Sequence, residues 1–183
     1  MSEAAQVDGA VAEAAAQGLH RKLGLIVAAV IVLLDQLLKL FVTQTLQLAS
    51  RGPAGIEILP FFNLTWTQNY GVSMGFFHAD TQLMRWLLVA MTMAIAGFVS
   101  WWMWREKQRS DAIALSMVLG GAIGNIIDRV RLGYVVDYAD LHIGAWRPFL
   151  IFNLADAAIT IGVLILLARA LLLREKAGSK ESR

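Results

Sequence analysis

The chain has no cysteine, three prolines among 183 residues, and only 16% charged residues. Without cysteine there is no thiol nucleophile, no disulfide and no thiolate metal pattern, so any chemistry must come from oxygen or imidazole groups. The shortage of charge comes with 57% hydrophobic residues, against about 45–50% apolar and about 25% charged in ordinary soluble domains. That excess of apolar surface asks for a bilayer rather than for a second protein layer. A net charge of +2, gathered at the flanks of apolar runs, argues against a nucleic-acid partner.

Four apolar runs are present, at about Leu23–Val42, Leu83–Trp104, Ala112–Ile127 and Phe149–Leu173, each near the roughly 20 residues a spanning helix needs. The expected fold is an all-α membrane protein of four transmembrane helices in one domain, 23–173. The third run is short, and its Gly120 and Gly124 at small-xxx-small spacing mark it as an inner, closely packed helix. Arg21 and Lys22, then Arg105, Lys107 and Arg109, then Arg174, Lys176 and Lys180 flank the runs on one side. The positive-inside rule makes those segments, and both termini, cytoplasmic. The first run is longer than a signal-peptide core and contains Asp35, so it is expected to be retained. Residues 1–22 form a cytoplasmic leader expected to be a frayed helix or disordered, and 174–183 a cytoplasmic tail.

Two outer segments remain. The first breaks at Arg51-Gly52-Pro53 and then alternates through Leu64-Thr65-Trp66-Thr67, which suits a strand in a small sheet on the membrane surface. The second, Val135 to Pro148, is expected to form a short amphipathic lid over the bundle mouth. Trp66, Trp86 and Trp146 suit the outer interface, and Trp101, Trp102 and Trp104 the inner one.

An ionisable residue within a span costs about 2.5–3.5 kcal/mol at a helix centre and needs a reason. Here such residues gather where the topology brings three helix ends to one face. Asp35 and Lys39 are spaced i,i+4 in span one, as are Asn125 and Arg129 at the end of span three, with Asp128 between them. Asn153 and Asp156 are i,i+3 at the start of span four. Asp137 follows in the loop after span three, and Asn69 and Gly71 lie in the turn after the strand. Two carboxylates that meet cannot both ionise comfortably, so Asp137 and Asp156 together would share a proton and activate water without a metal. Asp35 with Lys39 reads first as an ion pair, Asp140 as a solvated charge, Asp128 as a helix-end acceptor, and His142 as an interfacial polar group rather than a metal ligand. Other uses of the same acids are a transporter, a metal-dependent lipid-headgroup enzyme built on Asp128, Asp137, Asp140 and Asp156, or a non-catalytic subunit.

The blocks Asp35-Gln36-Leu37-Leu38-Lys39, Asn69-Tyr70-Gly71, Asn125-Ile126-Ile127-Asp128-Arg129, Val135-Val136-Asp137-Tyr138 and Phe152-Asn153-Leu154-Ala155-Asp156, in this order, resemble the signature blocks of lipoprotein signal peptidase (signal peptidase II). The resemblance runs from about residue 23 to 173. It implies an aspartic endopeptidase of the bacterial inner membrane, with a periplasmic-side site and no metal or other cofactor. Its substrates would be diacylglyceryl-modified prolipoproteins, cut before the lipidated cysteine, and its other partner membrane lipid, with the enzyme a monomer. It maps the catalytic pair onto Asp137 and Asp156. Asp35, Lys39, Asn69, Gly71, Asn125, Arg129, Asn153 and Ala155 fall at the family's other characteristic positions. One departure is Val72-Ser73-Met74-Gly75, where the family often has Ala-Ala-Phe-Ser.

Overall fold

A computed structural model of the chain describes residues 3–53, 55–71, 82–144 and 146–181; the Val72–Gly75 departure lies outside them. Four helices dominate: α1 (Glu3–Leu40), α2 (Gln82–Arg105), α3 (Arg109–Arg131) and α4 (Leu154–Glu181). Each contains a stretch long and apolar enough to cross a membrane. With 38 residues, α1 is about 57 Å long and so exceeds the roughly 30 Å hydrocarbon core. The leader is therefore helical from Glu3, where a frayed helix or a disordered stretch was expected. Its side chains run beside the α2–α3 connection, with Arg21 Nε donating to Trp104 O at 2.9 Å and Lys107 meeting Glu13 at 2.7 Å.

The inner helix is α3, which packs on all three others. Glycine is what lets it do so. A Cβ at Gly120 would stand 2.8 Å from Ala28 O of α1, and one at Gly124 would stand 2.6 Å from an Asp35 carboxylate oxygen. From α4, a Cβ at Gly162 would approach Ala114 O at 2.6 Å. These near-contacts bring backbones close enough for dispersion to hold helices that share an apolar solvent. A second cluster, Ala96, Val99 and Met103 of α2 with Leu115, Val118 and Leu119 of α3, fixes α2. The outer faces of α1, α2 and α4 carry exposed leucines, isoleucines and tryptophans, as lipid contact requires.

At one end, α1 widens into a π turn over Phe41–Thr45, where the Thr43 hydroxyl bonds back to Lys39 O and Leu40 O. The chain then forms a three-stranded antiparallel sheet of β1 (Ile56–Leu59), β2 (Phe62–Asn69) and β3 (Val135–Leu141), in the order β1-β2-β3. The small sheet was anticipated around Leu64–Thr67, but its third strand was not. The segment expected to be an amphipathic lid opens as β3, which is buried from Val135 to Asp140 between β2 and the bundle. Only the part after Leu141 is free to cover anything. Val42, Leu48, Val136, Tyr138 and Ala139 form the sheet's own core, with Trp66 packed against it.

Replacing Gly120 by Ala forces the α1 backbone away and is expected to cost about 1–3 kcal/mol. Gly97→Ala, where a Cβ meets nothing within 4 Å, should be neutral or stabilising by up to about 1 kcal/mol. Unfolding midpoints of the two variants in detergent measure the difference.

Candidate active site

The sheet and the mouth of the bundle meet at the polar residues singled out by the sequence. Lys39, on the last turn of α1, places Nζ 2.8 Å from an Asp35 oxygen and 2.8 Å from an Asp128 oxygen, with all three side chains almost fully buried. Its third contact is Asn125 Oδ1 at 3.3 Å. Asp35 is thus not merely an ion pair that eases a helix end into the interface. Its other oxygen accepts the Ala155 N–H at 3.1 Å, one of the backbone donors left open at the start of α4. Asp128 accepts the Val136 N–H of β3 at 3.1 Å and the Gln36 amide at 3.0 Å. One lysine and two carboxylates therefore join α1 to α3, to α4 and to the sheet.

Asn153 and Asp156 do not simply share a helical side. Asn153 precedes α4, and its Oδ1 accepts the Asp156 N–H at 2.9 Å while Asp156 Oδ2 accepts the Asn153 N–H at 3.3 Å. This reciprocal pair is a capping box, with the acid at the third helical position. The remaining Asp156 oxygen accepts from Asn125 Nδ2 at 2.8 Å. Asn125 thereby connects Lys39 to Asp156.

Asp137 lies on β3, not in a loop, opposite Thr67 of β2. Asn69, two residues beyond Thr67, points to the same face of the sheet. Its Oδ1 accepts the Gly71 N–H at 2.8 Å, folding the chain where Gly71 has φ +81°, and its amide donates to Asp137. Asn153 Nδ2 donates to the other side of the same carboxylate at 2.7 Å. Asn153 therefore touches both acids, through its side chain to Asp137 and its main chain to Asp156. Burial, and secondarily the Asp156 charge, pushes Asp137 from its ordinary 3.8 to about 6, against the lowering effect of its hydrogen bonds to Asn69 and Asn153.

Arg129 is half-buried, and its charge faces Asp156, Asp137 and Asp128. Its guanidinium borders Gly71, where an added Cβ would stand 3.4 Å from Nη2. Sequence reasoning brought the polar residues among these to one face, and the resemblance added Gly71 and Ala155. It missed Gln36, an in-span amide between Asp35 and Asp128 whose polarity was its signal, and Tyr138, whose hydroxyl faces the Leu154 main chain and is pushed up to about 12 chiefly by burial. It also misjudged Asp140. That carboxylate is 1% exposed and is held by Arg147 at 3.0–3.2 Å, with Thr65 adjoining. Nothing local in the sequence reveals that Arg147 folds back seven residues. His142 is half-buried, and neither ring nitrogen has a partner among the described residues.

Residues 27–172 match the family model for Signal peptidase (SPase) II. The chain belongs to the signal peptidase II family. Proteins called lipoprotein signal peptidase from Sphingopyxis alaskensis and Rhizorhabdus wittichii are 57% identical over 164 residues and 59% identical over 160 residues. The alignments cover 90% of this chain and 94% of the first relative, and 87% and 92% for the second. Two solved structures described as bacterial membrane enzymes share the architecture. The first has a TM-score of 0.68 at 28% identity, covering 86% of this chain and 91% of its own. The second has a TM-score of 0.70 at 29% identity, covering 82% and 93%. Family membership makes the chain a multi-pass membrane protease, and the polar cluster just described lies within the matched region.

Because Asp137 titrates near 6 in the fold against 3.8 in an ordinary carboxyl, the folded state holds its proton more tightly. Its contribution to stability is complete below about pH 4 and is lost as pH rises through about 6. Wild type should therefore lose unfolding midpoint between pH 4 and 6.5 relative to Asp137→Asn, and thermal melts of both across that range measure it.

Proposed function

We propose that the protein removes the signal peptide from diacylglyceryl-modified prolipoproteins, cutting before the lipidated cysteine, with Asp137 and Asp156 as an aspartic dyad. The observation that carries this reading is Asn153 bridging the two acids, with Asp137's affinity for a proton raised by burial and by its partner's charge. Asp156 accepts N–H donors at both oxygens, which suits the charged member. Asp137 is then the seat of the shared proton. The charged member takes a proton from water as the water oxygen bonds to the scissile carbonyl carbon, while the protonated member donates to the developing oxyanion. Collapse breaks the C–N bond, and the dyad returns a proton to the departing amine.

The remaining residues have supporting roles. Lys39, Asp35 and Asn125 hold the dyad's helices in register, Asn69 and Asn153 orient Asp137, and the Ala155 main chain seats α4 on Asp35. Arg129 and Gly71 border the space where substrate main chain would lie. The wide apolar faces of the bundle leave the substrate's acyl chains in lipid while its peptide enters the mouth. The Lys and Arg clusters at residues 21–22 and 105–109 lie at the end of the bundle away from the dyad, which supports a dyad at the periplasmic face of the bacterial inner membrane with both termini in the cytoplasm. Residues 142–144 and 146–148, anchored through Arg147 to Asp140, are the lid. The enzyme acts as a monomer without a cofactor.

The acids do not pool as a metal site or a proton path would need. Lys39 pairs with both Asp35 and Asp128, Arg147 takes Asp140, and Asp137 and Asp156 face the Arg129 charge. Purified protein in detergent should cleave a diacylglyceryl-modified prolipoprotein before the modified cysteine, unaffected by excess chelator. Asp137→Asn and Asp156→Asn should each lower the rate by at least ~10²-fold. Near-normal activity in either folded variant would remove the dyad, and chelator sensitivity would restore the metal reading.

A further inference from the structure

The second helix carries none of the five blocks, yet its first turns reach the site. Arg85 sits at the start of α2, where a cation opposes the positive end of that helix's own dipole. Its chemistry is explained by the neighbouring helix. Because α2 and α3 are antiparallel, Arg85 lies against the end of α3, donating from Nε to Arg129 O at 2.8 Å and from Nη2 to Val130 O at 2.5 Å. Those carbonyls belong to the last turn, where Arg129 O also accepts the Gly133 N–H at 3.2 Å, so the Arg85 fork adds a side-chain clamp to the main-chain bond that ends the helix. The chain leaves that turn through Gly133 at φ +89°, beneath the same guanidinium. One turn along α2, Leu88 adjoins Gly71, whose other neighbour is Arg129. The forked guanidinium of Arg85 thus holds the main chain of the residue whose side chain borders the substrate space.

We infer that Arg85 is a positioning residue for the peptidase reaction, fixing the Arg129 guanidinium through the two carbonyls at the end of α3. This rests on Arg129 contacting substrate, as proposed above. A lysine offers one point charge in place of the planar fork and cannot hold both carbonyls in the same geometry. With the anchor gone, Arg129 should be displaced while the dyad, held by Asn153 and Asn125, stays in place. The loss should therefore fall on substrate binding more than on turnover.

The test is a kinetic double-mutant cycle on the full chain in detergent, using a diacylglyceryl-modified prolipoprotein, with Arg85→Met, Arg85→Lys, Arg129→Met and the double variant Arg85→Met/Arg129→Met. Unfolding midpoints are measured in parallel. Arg85→Met should raise KM on the order of tenfold, as loss of charge-assisted hydrogen bonds implies, with kcat within about threefold of wild type. Arg85→Lys should recover only part of this, and on the Arg129→Met background Arg85→Met should change kcat/KM less than about twofold. The same fold-loss in both backgrounds would overturn the inference. So would a fall in kcat at constant KM that follows a lowered midpoint, since that is loss of folded enzyme. Wild-type kinetics in Arg129→Met would overturn it together with the role given to Arg129, and absence of cleavage by wild type would instead sink the proposed function.

Discussion

The ammonium of Lys39, buried between Asp35 and Asp128, is the contact on which the rest of the structure depends. A buried charge without a partner is strongly destabilising, and breaking such a pair by removing one side typically costs about 3–5 kcal/mol. Here the carboxylates have further obligations, because each also accepts a backbone N–H from an element distant in sequence, Ala155 at the start of α4 and Val136 in β3. The charge cluster thus specifies which helix ends meet and at what height. Apolar packing cannot do this in lipid, where sliding one leucine face past another changes little.

Glycine makes the cluster possible. Asp35 can lie between α1 and α3 because position 124 has no side chain, and α1 and α4 can close on α3 because positions 120 and 162 have none. Close backbone approach and buried charge support one another, the first excluding lipid and water from the second, the second fixing the register of the first. The sheet then adds what helices alone could not supply. A strand pairing Thr67 with Asp137 turns Asn69 and Asp137 to one face and leaves Asp137 above the N-terminus of α4.

Much of this was legible from residue types and spacing. In-span acids and amides are costly enough to announce a site, and the up-down course of four apolar runs sends Asp35, Asn125, Asp137 and Asp156 to the same end. The strand around Leu64–Thr67 followed from its alternation. What escaped was set by long-range geometry. Asp137 looked like a loop acid because Val135 to Leu141 has no alternating pattern; the strand is buried on both faces. Asp140 looked solvated because Arg147 returns to it only after a turn through Gly144. The Asn153–Asp156 spacing fits a shared helical face and a capping box equally well, and only the start of the helix at Leu154 decides between them. Arg85 carried no signal, since its partners are carbonyls rather than side chains.

The bond from the Ala155 N–H to Asp35 crosses 120 positions of sequence. It joins the first of the four apolar helices described to the fourth. Before α4 enters the bundle, Asp137 has no second acid, Asp35 has no amide to receive, and Asn153 has no helix to cap. A half-made chain in the bilayer therefore carries the strand, Lys39 with Asp35 and Asp128, and Asp137, but not Asp156. The proposed dyad is complete only once α4 has joined the bundle.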